Sequence, residues 1–295
     1  MPAPPGFRRV RFTAGRRAPI GHTLTGDIRR HRISGAAGTG RPRQVLVYLP
    51  PAYEQESARY PVLYVNDGQN VFDGATAFVP GQEWELDETA ERLIRAGRID
   101  PLIVVAVDHA GESRFDEFGP VRDAGRRAGG GADAYGRFLV GRVKRFVDRT
   151  YRTRADREHT GLLGSSLGGV VTLHLGLTRP DVFSRLAVMS PSVWWGQQAI
   201  VRQMRALAER PPLRVWLDMG TAEGERALTD ARALRDAMLA KGWRLGDDLA
   251  YEEVEGAPHT ESAWAARADR VLEFLFPPVS PRAADVPGPR GTPSP

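Results

Sequence analysis

The strongest constraint on the fold is an alternation of two patterns. Short apolar runs, rich in β-branched residues, recur at 43–50, 61–66, 101–108, 160–164, 185–190, 213–219 and 249–254. Between several of them lie stretches of helical character, at 85–96, 132–150, 167–178, 198–209, 225–241 and 260–274. A strand that is apolar along its whole length must be covered on both faces. Strands that alternate with helices of a dozen residues or more predict a mostly parallel central sheet with helices on both faces. The strands up to Asn66 have no helix between them, and they predict an antiparallel N-terminal edge. The expected class is α/β. One domain is expected over 1–276, with 1–43 as a basic edge segment and 277–295, rich in Pro, Ser and Gly, as a disordered tail. Residues 111–131 hold seven Gly or Pro and read as a long surface loop near the functional site.

Bulk properties narrow the function. With 295 residues and 41% hydrophobic content, the chain can build one large core, or two domains at most. No apolar run approaches the roughly 18 residues of a membrane span. Residues 1–17 lack the apolar stretch of a secretory signal, so a cytoplasmic location without membrane contact is expected. Cysteine is absent, which excludes disulfides, thiolate metal sites and cysteine nucleophiles. The net charge of +5 comes from the N-terminal part: residues 1–43 hold ten arginines against one acid, Asp27. Only Lys144 and Lys241 are lysines. A preference so lopsided reflects a GC-rich coding bias better than a binding surface, and no nucleic-acid partner is expected.

The chemistry starts at Thr160-Gly-Leu-Leu-Gly164-Ser165-Ser166-Leu167-Gly168-Gly169. This segment contains Gly-x-Ser-x-Gly, a pentapeptide short enough to arise by chance. Its context makes it specific, because it follows an apolar strand and opens a helix. A serine at such a turn is held in a strained backbone geometry, clear of the sheet, beside the unpaired N–H groups of a helix N-terminus. Ser166 is therefore the predicted nucleophile. Ser165 has Leu163, not Gly, two residues before it and is assigned to packing or to a hydrogen bond in the turn.

A serine hydroxyl needs a base, usually histidine. His174 falls two turns into the helix after Ser166 and should point away from it. His259 sits in Glu255-Gly-Ala-Pro258-His259-Thr260, a loop between a strand and the last helix, where a base is expected. The acid should lie between them in the chain, past the end of the strand at 213–219. Glu223 is favoured because it is in the loop; Asp218 is still within the strand, and Glu225 suits the start of the next helix. The oxyanion should find the backbone N–H of Leu167 and that of Gln69, in the Asp67-Gly68-Gln69 turn after the strand at 61–66. Trp84, Phe118, Trp194 and Trp195 sit in or beside predicted loops and are read either as substrate contacts or as packing. Arg114 is read either as the holder of an anionic substrate group or as the partner of Glu117 in an ion pair.

Together these segments resemble the esterase family that includes enterochelin esterases, feruloyl esterase domains and, more distantly, mycolyl transferases. The resemblance covers about 44–277. It is carried by Asp67-Gly68-Gln69-Asn70-Val71-Phe72-Asp73, by Arg114-Phe-Asp-Glu117-Phe118-Gly-Pro120 and by the Gly164–Gly169 turn. Ser190-Pro191-Ser192-Val193-Trp194-Trp195 and His259-Thr260-Glu261-Ser262-Ala263-Trp264 complete the set. It implies the α/β-hydrolase fold and ester hydrolysis of a small-molecule substrate without cofactor or metal. In that family the third catalytic residue follows Gly-Thr-x, which implies Glu223. Two alternatives use the same fold: an acyltransferase with the same apparatus, and a non-catalytic binding protein. The intact Ser166 and His259 argue against the second.

Overall fold

In a computed structural model of the chain, residues 21–34 and 42–278 are described. All but the first two residues of the predicted tail at 277–295, and most of the basic N-terminal segment, lie outside them. One eight-stranded sheet organises the molecule. Its strands are β1 (Asp27–Ile33), β2 (Arg43–Leu49), β3 (Val62–Asn66), β4 (Ile103–Val107), β7 (Thr160–Ser165), β8 (Arg185–Met189), β9 (Arg214–Gly220) and β10 (Leu249–Val254). The spatial order is β1-β2-β4-β3-β7-β8-β9-β10. β1 pairs antiparallel with β2, and β2 antiparallel with β4; every other pair is parallel.

β3 corrects the expectation of an antiparallel edge reaching Asn66. It lies inside the sheet, parallel to both β4 and β7. The lack of a helix before it does not make it a neighbour of β2. The 50–61 connection carries Tyr60 to Thr153, the segment that feeds β7, where the Tyr60 N–H donates to the Arg152 carbonyl at 2.9 Å. The antiparallel edge is instead β1, a polar strand with no apolar run to announce it, together with β2.

The strands alternate between two cores, as their period of two requires. Tyr64, Val105, Leu162 and Leu186 face one, with α3 (Ala132–Phe138), α5 (Leu167–Thr178), α6 (Ala199–Ala206) and α7 (Glu225–Ala240). Leu63, Ala106, Leu163 and Ala187 face the other, with α1 (Leu86–Arg95) and α9 (Ala268–Leu275). Each buried Val or Leu among them contributes about 1.5–3 kcal/mol. This is the α/β-hydrolase architecture.

Two predicted helices are broken. The 132–150 stretch passes through a π-helical segment, Leu139–Lys144, before α4 (Arg145–Thr150). The 260–274 stretch divides into α8 (Glu261–Ala265) and α9, with the fully buried Arg267 at the break. The 111–131 segment is more ordered than a surface loop. It forms a 3-10 turn, α2 (Arg114–Phe118) and a small hairpin of β5 (Arg122–Asp123) and β6 (Ala128–Gly129). Its Glu117 and Phe118 are buried. Among the described residues, no helix is long and apolar enough to cross a membrane.

Candidate active site

Ser166 stands between β7 and α5 with φ 57° and ψ −126°, a backbone conformation that costs about 1–3 kcal/mol for a residue with a side chain. The turn is closed by backbone bonds. The Ser166 N–H donates to the Met189 carbonyl at 3.0 Å, and the Ser166 carbonyl accepts from the N–H groups of Gly169 (3.1 Å) and Ser192 (3.0 Å). Space is short at both glycines of the pentapeptide, and far shorter at Gly164. A Cβ on Gly164 would lie 2.4 Å from the Gly168 carbonyl oxygen, and one on Gly168 would lie 3.0 Å from Asp67 Oδ2.

β9 ends at Gly220, and the turn Thr221–Glu223 follows. His259 hangs on the loop between β10 and α8. The two loops meet: His259 Nδ1 lies 2.6 Å from Glu223 Oε2. The other oxygen, Oε1, accepts from Ser190 Oγ at 2.5 Å and from the Gly220 N–H at 3.1 Å. Burial pushes the Glu223 carboxyl up, but the hydrogen bonds from His259 and Ser190, the His259 charge and the Gly220 N–H outweigh it. The net position is below the usual carboxylate range. Neither rival carboxylate reaches His259. Asp218 is fully buried and paired with Arg267 at 2.8 and 3.1 Å, and Glu225 is exposed in the first turn of α7. His174 is elsewhere, between Asp133 Oδ1 (2.8 Å) and Gln203 Oε1 (2.9 Å).

Ser166 and His259 line one cavity of about 340 Å³, with Leu167, Ser192, Trp194 and Glu223. Ser166 Oγ is 3.2 Å from Ser192 Oγ, and among the described residues it has no hydrogen bond to His259.

The turn after β3 is also as the sequence predicts. Asp67 adopts a left-handed conformation (φ 58°) and opens the 3-10 turn Gly68–Asn70. Gln69 lies in that turn, in the first positions where a backbone N–H has no carbonyl of its own helix to bond. Leu167, the first residue of α5, is in the same situation. Leu167 borders the cavity; Gln69 is outside its lining.

Arg114 borders the same cavity, and its ion-pair partner is corrected: it pairs with Asp67 (2.6 and 2.8 Å), not with Glu117. α2 directs Glu117 into the core, where Arg43 holds it at 2.7 and 3.0 Å, while Arg114 spans to the turn before Gln69. The aromatic residues divide in two. Trp84 and Phe118 are buried core residues away from the cavity. Trp194 and Trp195 do line it, although Trp195 is almost wholly buried and braces the hairpin, donating to the Val121 carbonyl at 2.9 Å. The Arg126 guanidinium lies over Trp194, 4.5 Å from the ring centroid, and Phe115 stacks on Trp195. Phe115, Arg126, Ser192 and Asp230 line the cavity without having been singled out from their residue types. Only the Ser-Pro-Ser-x-Trp-Trp segment hinted at Ser192. Among the described residues, no cluster of three or more His, Asp or Glu stands close enough to hold a metal ion.

The model of the family described as "Putative esterase" matches residues 36–273. The ferri-bacillibactin esterase BesA of Bacillus subtilis (strain 168) is 25% identical over 254 residues, covering 78% of this chain and 84% of that protein. An endo-1,4-beta-xylanase/feruloyl esterase of Xylanibacter ruminicola is 23% identical over 247 residues, 81% of this chain but 30% of that longer protein. The solved siderophore hydrolase EstA from Aspergillus nidulans superimposes with a TM-score of 0.67 at 22% identity, covering 89% of this chain and 98% of that one. At that identity the superposition speaks for the fold alone. The chain belongs to this esterase family. Its enzyme class is carboxylic ester hydrolase.

Proposed function

We propose that the chain hydrolyses a small-molecule carboxylic ester through an acyl-enzyme on Ser166. His259 Nε2 takes the Ser166 proton as Oγ attacks the ester carbonyl carbon. The oxyanion is stabilised by the N–H groups of Leu167 and Gln69. Collapse of the tetrahedral intermediate breaks the ester C–O bond, and His259 returns the proton to the leaving alcohol. Water then attacks the acyl carbon, His259 takes its proton, and Ser166 Oγ leaves reprotonated. Glu223 stays ionised and accepts the hydrogen bond from Nδ1–H throughout, which keeps Nε2 free to act as base and stabilises the imidazolium.

The observation that carries this reading is the 2.6 Å contact between His259 and Glu223 at the rim of the cavity that holds Ser166 on its strained turn. The substrate side follows from the walls. Phe115 and the Trp194 ring, capped by the Arg126 guanidinium, suit an aromatic half of the ester. Relatives named as feruloyl and siderophore esterases support the same class.

The test is turnover of p-nitrophenyl acetate and butyrate, with labelling by a fluorophosphonate. The wild-type protein should turn over and label. Ser166→Ala should do neither, leaving a folded protein with activity reduced by roughly four orders of magnitude or more. Unchanged turnover in Ser166→Ala would sink the mechanism.

A further inference from the structure

Ser190 follows β8 directly, at the same sheet edge as Ser166, and carries a positive φ of 39°. Its hydroxyl has one proton to give and two lone pairs to receive. Trp264 Nε1 donates to it at 3.0 Å and Arg267 Nη2 at 2.6 Å. Neither of those groups can accept, so both lone pairs are taken. The proton is left for Glu223 Oε1, at 2.5 Å. The direction of this hydrogen bond is thus dictated by its neighbours.

The donors are themselves anchored. Arg267 is fully buried and paired with Asp218, which is also fully buried. Asp218 further accepts from Trp216 Nε1 (2.7 Å) and the Ser190 N–H (2.9 Å). Trp264 packs its ring edge-on against His259, with centroids 5.0 Å apart and planes at 85°. One tryptophan therefore touches the base and, through Ser190, steers the acid. A buried ion pair is a poor way to stabilise a core, since apolar side chains of similar size do as well or better. Here the pair ends on the hydroxyl that holds a carboxylate beside the cavity.

We propose that Ser190 is a positioning residue for ester hydrolysis, which turns the Glu223 carboxylate so that Oε2 faces His259, with the buried Arg267–Asp218 pair and Trp264 as its anchors. The proposal rests on the reading of Glu223 as the catalytic acid. A carboxylate rotates freely about its last bond. Two donors on Oε1, from Ser190 Oγ and the Gly220 N–H, stop that rotation and leave Oε2 for the imidazole.

Ser190→Gly tests it, since glycine removes the hydroxyl and tolerates φ of 39°. With p-nitrophenyl butyrate, kcat should fall by about ten- to a hundred-fold, the range for losing a hydrogen bond to a charged group. KM should change by less than about twofold, because Ser190 acts through Glu223 and not on substrate. In a Glu223→Gln background the same change should cause no further loss. Full kcat in a folded Ser190→Gly, or a loss that multiplies with that of Glu223→Gln, would overturn the proposal. If Ser190→Gly does not fold, Ser190→Ala carries the same comparison. Full activity in Glu223→Gln alone would instead remove the underlying assignment of the acid.

Discussion

At the scale of single residues, two carboxylates five positions apart have opposite fates. Glu223 and Asp218 both lie near the end of β9. Asp218, inside the strand, is drawn into the buried pair with Arg267, and Glu223, past its end, meets His259. Their substitutions should separate accordingly. Glu223→Gln should lower kcat by roughly two to four orders of magnitude, since the imidazole loses its carboxylate partner, with a smaller cost in stability than Asp218→Asn. Asp218→Asn should chiefly destabilise, by about 3–5 kcal/mol, because it strands the Arg267 charge in the core. Steady-state kinetics and urea unfolding of both variants check this. A collapse of kcat in Asp218→Asn with none in Glu223→Gln would reverse the assignment. The position of Glu223 was legible, because a loop past a strand end is where a side chain can reach across. Ser190 was not, because its role depends on Trp264 and Arg267, more than seventy residues further along the chain.

At the scale of elements, the β7–α5 turn is the most legible part of the chain and the least tolerant. A Cβ on Gly164 would meet backbone atoms at 2.4 and 2.5 Å, with no side chain to move aside. Gly164→Ala must therefore shift α5 against β7 and carry Ser166 with it. The expected outcome is a fall in Tm together with a loss of at least about 100-fold in kcat/KM, since small misplacements at a reacting centre are that costly. Activity at the wild-type level in a folded Gly164→Ala would contradict the geometry. α2 was less legible. Arg114 and Glu117 are three residues apart, the spacing of a helical ion pair, yet one grips Asp67 and the other Arg43. A one-turn helix between two buried partners obeys those partners rather than its own spacing.

For the whole molecule, pH should act on stability through carboxyls outside the lining of the cavity. Burial, reinforced by Glu88, pushes Asp87 in α1 up to about 9. Burial pushes Asp108 up to about 7, against the charges of Arg43 and Arg30. Both groups bind protons more tightly folded than unfolded. Their contribution is complete below the ordinary carboxylate range near 4 and is lost as pH rises through about 7 and then about 9. Glu223 has the opposite sign: its contribution is present above its unfolded value and is lost as pH falls through its lowered folded one. Tm should therefore decline from pH 5 to pH 9.5, and Asp108→Asn should flatten the step of that decline that ends near 7. An equally steep decline in Asp108→Asn would refute the assignment of that step.

The sequence by itself determined the α/β class, the parallel order of the later strands, the turn that presents Ser166 and the loop that carries His259. Each depends on a local signal, such as an apolar run, a pair of glycines or a strand end, and such signals act over a few residues. Only the tertiary structure decided that β3 lies inside the sheet, that Arg114 belongs to Asp67, that Trp84 and Phe118 are core, and that Ser190 joins a buried ion pair to the carboxylate beside His259. These depend on which distant segments share a small volume. That is settled by the simultaneous burial of many side chains, and no short stretch of the chain records it.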